Sequence, residues 1–379
     1  MISQPTRPLI EVLAEIADPR QARGKRHPLV AILALVCVAT LCGYRSYGAM
    51  AEWGRHYGAE MLAALGFTRS TPPSAATLCR VLRGLDGAAF DAAIGRWAEG
   101  VLASVPTAEP TAVALDGKTL RGSRKQGLRG SHLLAAVSRR LGLPLAQVAV
   151  DDKTNEIGAV QALLRGLVLE GRVVTMDALL TQRAVAQTIV DGGGDYVMLA
   201  KDNHPGLVQG IAGLLATPAH VPGATPLRQA QTVDCGHGRV EQRAVTVRAL
   251  LPGDCDWPGA RQVFQIKRRR VRTTTGVLCT EVTYGVTSLT GEDAGPQRLL
   301  RLVRGHWHIE NRTHWVRDVT FDEDRSQVRV GALPRVLATT RTTAISLLRA
   351  AGATNVAAAC RRNAAQPWHA LALIGLHRQ

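Results

Sequence analysis

The order of short apolar segments over residues 107–201 constrains the fold of this chain more than any other feature of its sequence. Three strand-like segments come first: T-A-V-A-L-D, which ends at Asp116, and then residues 132–138 and 143–150. A helical segment, a fourth strand ending at Asp177, a second helical segment and a fifth strand over residues 195–201 follow. Strands that alternate with helices in this way predict an α/β fold, with a mixed sheet and helices packed against it.

The flanking regions have different patterns. Residues 1–105 have apolar side chains at helical spacing and predict an all-α N-terminal domain, whereas residues 218–295 alternate like strands and predict a β-rich insertion. Residues 106–217 then form the first part of the core. Residues 296–379 form its final part, with the Glu310 helix and two terminal helices over 333–351 and 368–376. By fold analogy, this order is that of a ribonuclease-H-like α/β domain.

The charge balance points to a polyanionic partner. The chain has 46 Lys and Arg against 30 Asp and Glu, a formal net charge of +16, which favours nucleic acid or an anionic membrane surface. The longest apolar run, residues 29–42, is too short to span a bilayer. The seven cysteines include no C-x-x-C pair, which argues against a disulfide framework or a zinc finger and fits a reducing cytosol.

Three acidic residues stand at positions where chemistry is expected. Asp116 and Asp177 each close a predicted strand, and Glu310 lies in a tryptophan-flanked segment. A carboxylate at the carboxyl end of a strand points into the crevice where α/β sheets bind ligands. Together with a third carboxylate, such a pair could hold two hard cations about 4 Å apart, and oxygen ligands favour Mg²⁺ or Mn²⁺ over zinc. The alternative for each Asp is a turn cap without chemistry.

The segment 304–324 is the second unusual stretch. If residues 304–318 are helical, one face carries Trp307, Glu310, Asn311, His314 and Asp318. We expect Asn311 and His314 to orient the glutamate or the DNA backbone. We expect the two flanking tryptophans, Trp307 and Trp315, to be core anchors rather than platforms for base stacking.

Two basic segments have open interpretations. The segment 74–84 predicts a short helix with Ser74 as N-cap, Gly84 at C′ and Arg80 and Arg83 exposed. This helix could enter a DNA major groove or belong to an ordinary bundle. The run I-K-R-R-R-V-R over residues 266–272 has five cations, so it is either a solvated edge strand or a phosphate-contacting strand.

Several separated motifs together resemble one family. They are D-G-K-T-L-R-G-S (116–123), K-T-N-E-I (153–157), V-V-T-M-D-A-L (173–179), G-G-D-Y-V-M-L-A-K-D-N (193–203), H-G-R-V-E (237–241) and H-W-H-I-E-N-R-T-H-W-V-R-D-V-T-F-D-E-D (306–324). In this order they resemble the DDE transposases of bacterial insertion sequences, in the H-repeat-associated, ISAs-type group. The segment D-P-R-x-x-R-G-K-R-H-P-L (18–29) is similar to that family's N-terminal associated domain.

The resemblance implies a catalytic triad of Asp116, Asp177 and Glu310 that holds two Mg²⁺ or Mn²⁺ ions. It implies DNA cleavage at the ends of the element and strand transfer into target DNA. The partners would be double-stranded DNA, comprising terminal inverted repeats and target, and a second copy of the chain in the bacterial cytosol, without a membrane. Catalytically decayed or domesticated forms that act as DNA-binding regulators, and a nuclease without strand transfer, are the alternatives.

Basic residues near these motifs are expected to contact DNA. The wider superfamily often has Tyr, Arg and Lys around the glutamate where this chain has Val303, His306 and Arg317. We also expect the run 267–272 to contact the DNA backbone. The individually assigned DNA contacts are Lys118, Arg121, Arg124, Lys125, Arg129, Lys201, Arg304 and Arg317.

Overall fold

The computed structural model describes residues 7–23, 25–105, 109–124, 130–150, 156–218, 220–236, 238–307 and 309–378. The chain divides into two compact units, each built from separate stretches of sequence. The first unit comprises Met1–Ala108, Gly117–Asn155 and Ile309–Gln379, and the second comprises Glu109–Asp116 and Glu156–His308. Elements are numbered here in chain order.

The first unit is mainly helical. The helix α2 is apolar on all sides and almost wholly buried, as expected of a helix that is surrounded by others. The helices of this unit are α1 (Leu9–Ala14), α2 (Leu29–Leu41), α3 (Tyr47–Ala64), α4 (Ala75–Arg83), α5 (Gly87–Ala103), α10 (Trp315–Val319), α11 (Leu333–Ala350), α12 (Val356–Ala365) and α13 (Pro367–Leu373). The helical N-terminal region is therefore confirmed. The two predicted terminal helices are present as α11 and α13, but the helix α12 between them was missed.

The helix α11 is buried over almost its whole length although it is rich in polar residues. Thr339, Thr340, Thr342, Thr343 and Ser346 are buried, and each hydroxyl donates a hydrogen bond to the backbone carbonyl four residues earlier. These bonds satisfy the hydroxyl groups inside the helix itself, so that they can be buried without leaving unpaired polar atoms.

A β-hairpin completes the first unit. The strands β2 (His132–Ser138) and β3 (Pro144–Val150) are antiparallel, with His132 opposite Val150. Gly142, in the turn between them, has φ +70°, a conformation that glycine adopts without steric cost. Both strands agree with the sequence prediction.

The second unit is built on a mixed sheet. Its strands are β1 (Thr111–Thr119, of which the residues up to Asp116 belong here), β4 (Arg172–Met176), β5 (Asp195–Ala200), β6 (Leu227–Gly236), β7 (Arg239–Ala249), β8 (Gln262–Arg272) and β9 (Leu278–Thr287). β1 is parallel to β4 and β4 to β5. β9 then pairs antiparallel with β5, followed by β8, β7 and β6. The predicted β-rich segment therefore extends the core sheet of this unit.

Helices cover this sheet. They are α6 (Glu156–Arg165), α7 (Arg183–Asp191), α8 (Pro205–Ala216) and α9 (Pro296–His306). On one face, Leu299, Leu302 and Val303 of α9 pack with Phe264 and Val245 in a hydrophobic core. This burial of apolar area is the main force that holds the strands β6–β9 to the helix.

Most elements match the sequence prediction, and four differences matter. The first strand does not end at Asp116 but continues to Thr119, and α8 and β6 were not predicted. Gly84 is the C-cap of α4 with φ −89°, so it does not adopt the left-handed conformation expected at C′. Ser74 caps the same helix as predicted, by accepting a hydrogen bond from Thr77 N–H.

Within the described residues, no helix has the length and apolarity needed to cross a membrane. All seven cysteines are free.

Candidate active site

Asp116 and Asp177 follow the same rung of the parallel sheet. The last paired residues of β1 and β4 are Leu115 and Met176, which lie opposite each other. Asp116 is the next residue of β1 and Asp177 is the first residue after β4, so the two follow paired positions on strands that are about 4.8 Å apart. The strands that lead to the two acids are therefore neighbours, as the ribonuclease-H-like order of the sequence implies. The strand β1 runs on beyond Asp116, whereas β4 ends just before Asp177.

Asp177 is held by the turn that follows it. Its Oδ1 accepts a hydrogen bond from Ala178 N–H at 2.7 Å, at the start of the short 3₁₀ turn Ala178–Leu180. The Nζ of Lys201, which follows β5, lies 3.4 Å from the same oxygen. Both side chains are partly exposed. The carboxylate therefore has a fixed direction, a neighbouring positive charge and access to solvent.

The segment after β5 fixes the loop that contains Asp177. Asn203 Nδ2 donates to Ala178 O at 2.8 Å, and His204 Nε2 lies 2.6 Å from Thr181 O, to which it donates. The Thr181 hydroxyl in turn donates to Leu199 O at 2.7 Å. Sequence reasoning assigned no role to Asn203 or His204. Their position directly after Lys201 was the available signal.

Glu310 begins a π-helical segment. This segment, Glu310–His314, follows the end of α9 at His306 and precedes α10. Ile309, Thr313 and Val316 are buried, whereas Glu310, Asn311 and Arg312 are exposed. A π-helical turn bonds residue i to i+5, and such turns are frequent at functional sites.

The expectation of one continuous α-helix over residues 304–318 was therefore wrong. Residues 310–314 form a π-helical turn, which is wider than an α-helical one, so the angular step used to place five residues on one face does not apply. The expectation that the tryptophans are core anchors was also wrong: Trp307 is 37% exposed and Trp315 58% exposed. His314 is half-buried.

His306 has a structural position in the second unit. It is buried, and its Nδ1 lies 3.3 Å from the Thr175 hydroxyl on β4. Thr175 lies two residues before Asp177 in the chain and also donates to Val113 O on β1. His306 therefore braces the two strands that lead to the aspartates.

The proposed DNA-contacting residues differ in their surroundings. Lys118 Nζ lies 2.8 and 2.7 Å from the two carboxylate oxygens of Asp318. Arg121 is largely exposed, with Nε 3.6 Å from Asp324, and Arg124 is exposed. Arg304 bonds Asp234 through both terminal nitrogens at 3.0 Å but stays partly exposed. Lys125 and Arg129 lie outside the described residues.

Arg317 faces the interior of the first unit. It is 2% exposed, and its guanidinium bonds Glu323 at 2.8 and 2.7 Å. Arg341 of α11 bonds the other oxygen of Glu323 at 2.8 Å. Burial alone would raise the pKa of Glu323, but the two arginines lower it to about 2. The structure therefore argues against a phosphate contact by Arg317, because its charge is already used inside the protein.

The donors at the sheet edge suit a hard cation. Asp116 and Asp177 both offer carboxylate oxygens, the ligands that Mg²⁺ and Mn²⁺ prefer. These ions do not need the sulfur or nitrogen ligands of cysteine or histidine. Glu310 belongs to the other unit. Within the described part of the chain, no three His, Cys, Asp or Glu side chains are grouped closely enough to hold a metal ion. The two aspartates therefore fit such an ion as a partial ligand set.

Comparison with known proteins identifies the class. The family described as "Transposase DDE domain" matches residues 107–347, and the family "DDE_Tnp_1-associated" matches residues 10–98. Since the first match covers more than half of the chain, the protein belongs to the DDE transposase family, in the H-repeat-associated group.

Individual relatives agree with this assignment. "Putative transposase YncI" of Escherichia coli O157:H7 is 29% identical over 348 residues, which is 90% of this chain and 87% of the relative. "H repeat-associated putative transposase YhhI" of Escherichia coli (strain K12) is 28% identical over 353 residues, covering 90% of each chain. An uncharacterized protein in the dhlA 3′ region of Xanthobacter autotrophicus is 35% identical over 67% of this chain and 86% of its own length.

A solved structure was also found. It is a piggyBac transposase synaptic complex with hairpin DNA, matched over 98% of this chain and 79% of that chain. The identity is 10% and the TM-score is 0.41, so this likeness carries no argument about the present chain.

Proposed function

We propose that this protein is an active DNA transposase that cleaves DNA strands at the ends of its own element and joins them to target DNA. The observation that supports this most directly is the pairing of Leu115 with Met176, after which Asp116 and Asp177 follow on adjacent parallel strands. Membership of the DDE transposase family supports the same function. Glu310, exposed at the start of a π-helical segment, is proposed as the third acid.

The proposed metal ligands are these three carboxylates. When bound, two Mg²⁺ or Mn²⁺ ions would activate a water molecule or a 3′-hydroxyl and stabilise the leaving oxygen. The chain's own contribution is to keep the aspartates oriented. Ala178 N–H holds Asp177 in one direction, while Lys201 offsets its negative charge when no cation is bound.

DNA binding in this proposal uses cations that keep solvent access: Arg121, Arg124, Lys201 and Arg304. Asn311 and His314 are proposed to orient Glu310 or the backbone of the substrate. A transposase must bring two element ends together, so we propose a homodimer on DNA. The site of action would be the bacterial cytosol, where the chromosome lies.

The test uses purified full-length protein and a plasmid that contains the gene with its flanking DNA. We expect Mg²⁺- or Mn²⁺-dependent strand cleavage by the wild type, abolished in Asp116→Asn, Asp177→Asn and Glu310→Gln, with DNA affinity nearly unchanged. Asp191→Asn is the matched control, because Asp191 is an exposed carboxylate on α7 of the second unit and accepts a hydrogen bond from Gln187 of the same helix. Full cleavage by any of the three variants would remove that residue from the triad.

The same assay separates the alternatives. Cleavage without joining of the freed 3′ end to a second plasmid would mean a nuclease. Binding of DNA without cleavage in either metal would mean a DNA-binding relic that acts as a regulator.

A further inference from the structure

The basic run on β8 lies in the interior of the sheet. β8 pairs with β7 on one side and with β9 on the other, from Gln262 to the end of the strand. Of the two interpretations left open by the sequence, the solvated edge strand is therefore excluded. Because successive side chains of a strand point to opposite faces, the cations of this run are divided between the two faces.

On one face the cations are neutralised by acidic residues. Arg268 Nε bonds Glu241 Oε1 at 2.5 Å, and Arg243 bonds the same carboxylate. Arg268 and Arg270 also lie 3.7 and 3.9 Å from Glu281. Burial alone would raise the pKa of Glu241, but Arg268 and Arg243 lower it, so the carboxylate stays charged. We call this the paired face, defined by Glu241, Arg243, Arg268, Arg270 and Glu281.

The other face has a different composition. Lys267 lies opposite Ala244 and Val282, and Arg269 lies opposite Gln242 and Thr280. The registers of β6, β7 and β9 add Gln229, Gln231, Val233, Val240, Leu278 and Tyr284 to this face. No position that the registers place on it is an Asp or Glu. We call the polar, accessible part of this face the open face; it is defined by the exposed Gln229, Gln231, Lys267 and Arg269 and the half-buried Gln242.

In the part of the chain that the structure describes, the two cations of the open face are not neutralised by neighbouring carboxylates. Lys267 and Arg269 are exposed, and among the described residues no carboxylate forms an ion pair with either. The base of the same face is closed, since Val263, Val286 and Arg248 are buried there. Arg248 donates to Thr217 O, the C-cap of α8. Only the part of the sheet far from α8 is therefore accessible.

We propose that the open face binds the phosphodiester backbone of double-stranded DNA through Lys267 and Arg269. Its Gln229 and Gln231 amides are neutral donors of the kind that also contact phosphate oxygens. Gln242 Nε2 donates to Gln231 Oε1 at 3.2 Å. A surface with two unpaired cations and no carboxylate attracts a polyanion, whereas the paired face has already satisfied most of its positive charge. This inference rests on the proposed DNA function. It assigns the DNA contact to only one face of the sheet, although the basic residues of β8 project to both faces.

The experiment compares two double variants on the same strand. Lys267→Gln with Arg269→Gln changes the open face, and Arg268→Gln with Arg270→Gln removes the same number of charges from the paired face. Binding of the full-length protein to a short fluorescein-labelled duplex is followed by anisotropy over a salt series. Thermal unfolding is measured for each variant.

We expect the open-face variant to bind DNA several-fold more weakly, with the slope of log K against log salt smaller by about 2, since each lost phosphate contact reduces it by about 0.9. Its unfolding temperature should match that of the wild type. The paired-face variant should keep most of the slope but unfold at lower temperature, because Glu241 loses a partner.

Other outcomes overturn the proposal. An unchanged salt slope in the open-face variant, with normal binding by the wild type, would refute the open face while leaving the DNA function intact. Loss of self-association in that variant without a change in DNA binding would assign the face to a second copy of the chain. Absence of duplex binding by the wild type at every salt concentration would refute the proposed function as well.

Discussion

Lys118 and Asp318 form a bidentate ion pair within the first unit, although 200 residues separate them in the chain. Lys118 Nζ lies 2.8 Å from Oδ1 and 2.7 Å from Oδ2, and the lysine side chain is only 11% exposed. Lys118 follows Asp116 by two residues, and Asp318 is in α10, shortly after Glu310. The pair therefore joins β1 to α10, and we infer that Lys118 acts inside the protein rather than on DNA.

We expect Lys118→Met to lower the free energy of unfolding by about 1–3 kcal/mol, because it leaves the partly buried Asp318 without its cation. Urea unfolding of Lys118→Met, Asp318→Leu and the double variant measures this. The double variant should lose less than the sum of the single variants. Arg121→Met is the control: Arg121 is 77% exposed and 3.6 Å from Asp324, so its loss should cost less than about 0.5 kcal/mol. Additive losses for Lys118 and Asp318 would contradict the coupling.

The stability of the first unit should depend on pH through Glu323. The pKa of this carboxyl is lowered from 4.5 to about 2, so its stabilising effect is complete above pH 4.5 and is lost as the pH falls towards 2. The charged pairing with Arg317 and Arg341 is then worth roughly 3 kcal/mol near neutral pH, as an order of magnitude.

Urea unfolding of the wild type and Glu323→Gln between pH 7 and pH 2.5 tests this. The variant should be less stable at pH 7, and the difference should shrink steadily below pH 4.5. A difference that stays constant over this range would show that Glu323 is not the titrating group.

Two glycines of α5 should respond oppositely to the same substitution. A Cβ at Gly95 would lie 2.3 Å from the backbone oxygen of Leu145 on β3, which cannot move without disturbing the hairpin. We expect Gly95→Ala to destabilise the protein by about 1–3 kcal/mol. At Gly100 a Cβ meets no atom within 4 Å, so Gly100→Ala should stabilise it by about 0.5–1 kcal/mol through helix propensity. Thermal unfolding of both variants measures this difference. Unfolding temperatures that shift in the same direction in both variants would contradict the prediction.

His204 should influence catalysis through the position of Asp177. Its Nε2–H holds Thr181 O, in the turn after Asp177. We expect His204→Ala to lower kcat for strand cleavage by about tenfold or more with little change in KM, since the aspartate loses its fixed direction but DNA contacts remain. His204→Gln, whose amide can donate the same bond, should recover most of the activity. A change confined to KM would instead mean that His204 contacts DNA.

Much of the fold followed from local pattern. The helix α4 and the strands β2, β3 and β5 were predicted nearly at their observed bounds, because hydrophobic periodicity and capping residues such as Ser74 depend on near neighbours. β6 and α8 were missed. The alternating exposure of β6 reflects an edge position, which only its pairing with β7 reveals.

The candidate site could be predicted only in part from the sequence. A strand that leads to an aspartate is a local signal, so the strands of Asp116 and Asp177 could be predicted from sequence, whereas their pairing is shown only by the sheet register. The π-helical segment at Glu310 could not be predicted, because a wide turn depends on how buried residues such as Ile309 and Thr313 are accommodated. The exposure of Trp307 and Trp315 was missed for the same reason.

The sequence by itself determined the strand and helix pattern, the order of the acidic residues and the excess of positive charge. Tertiary structure alone decided which charges remain available. Arg317 is neutralised by Glu323 and Lys118 by Asp318, and Arg268 by Glu241, whereas Lys267 beside it faces solvent. The physical reason is that a charge is neutralised by residues that are near in space, and the pairing of strands and helices sets which residues those are.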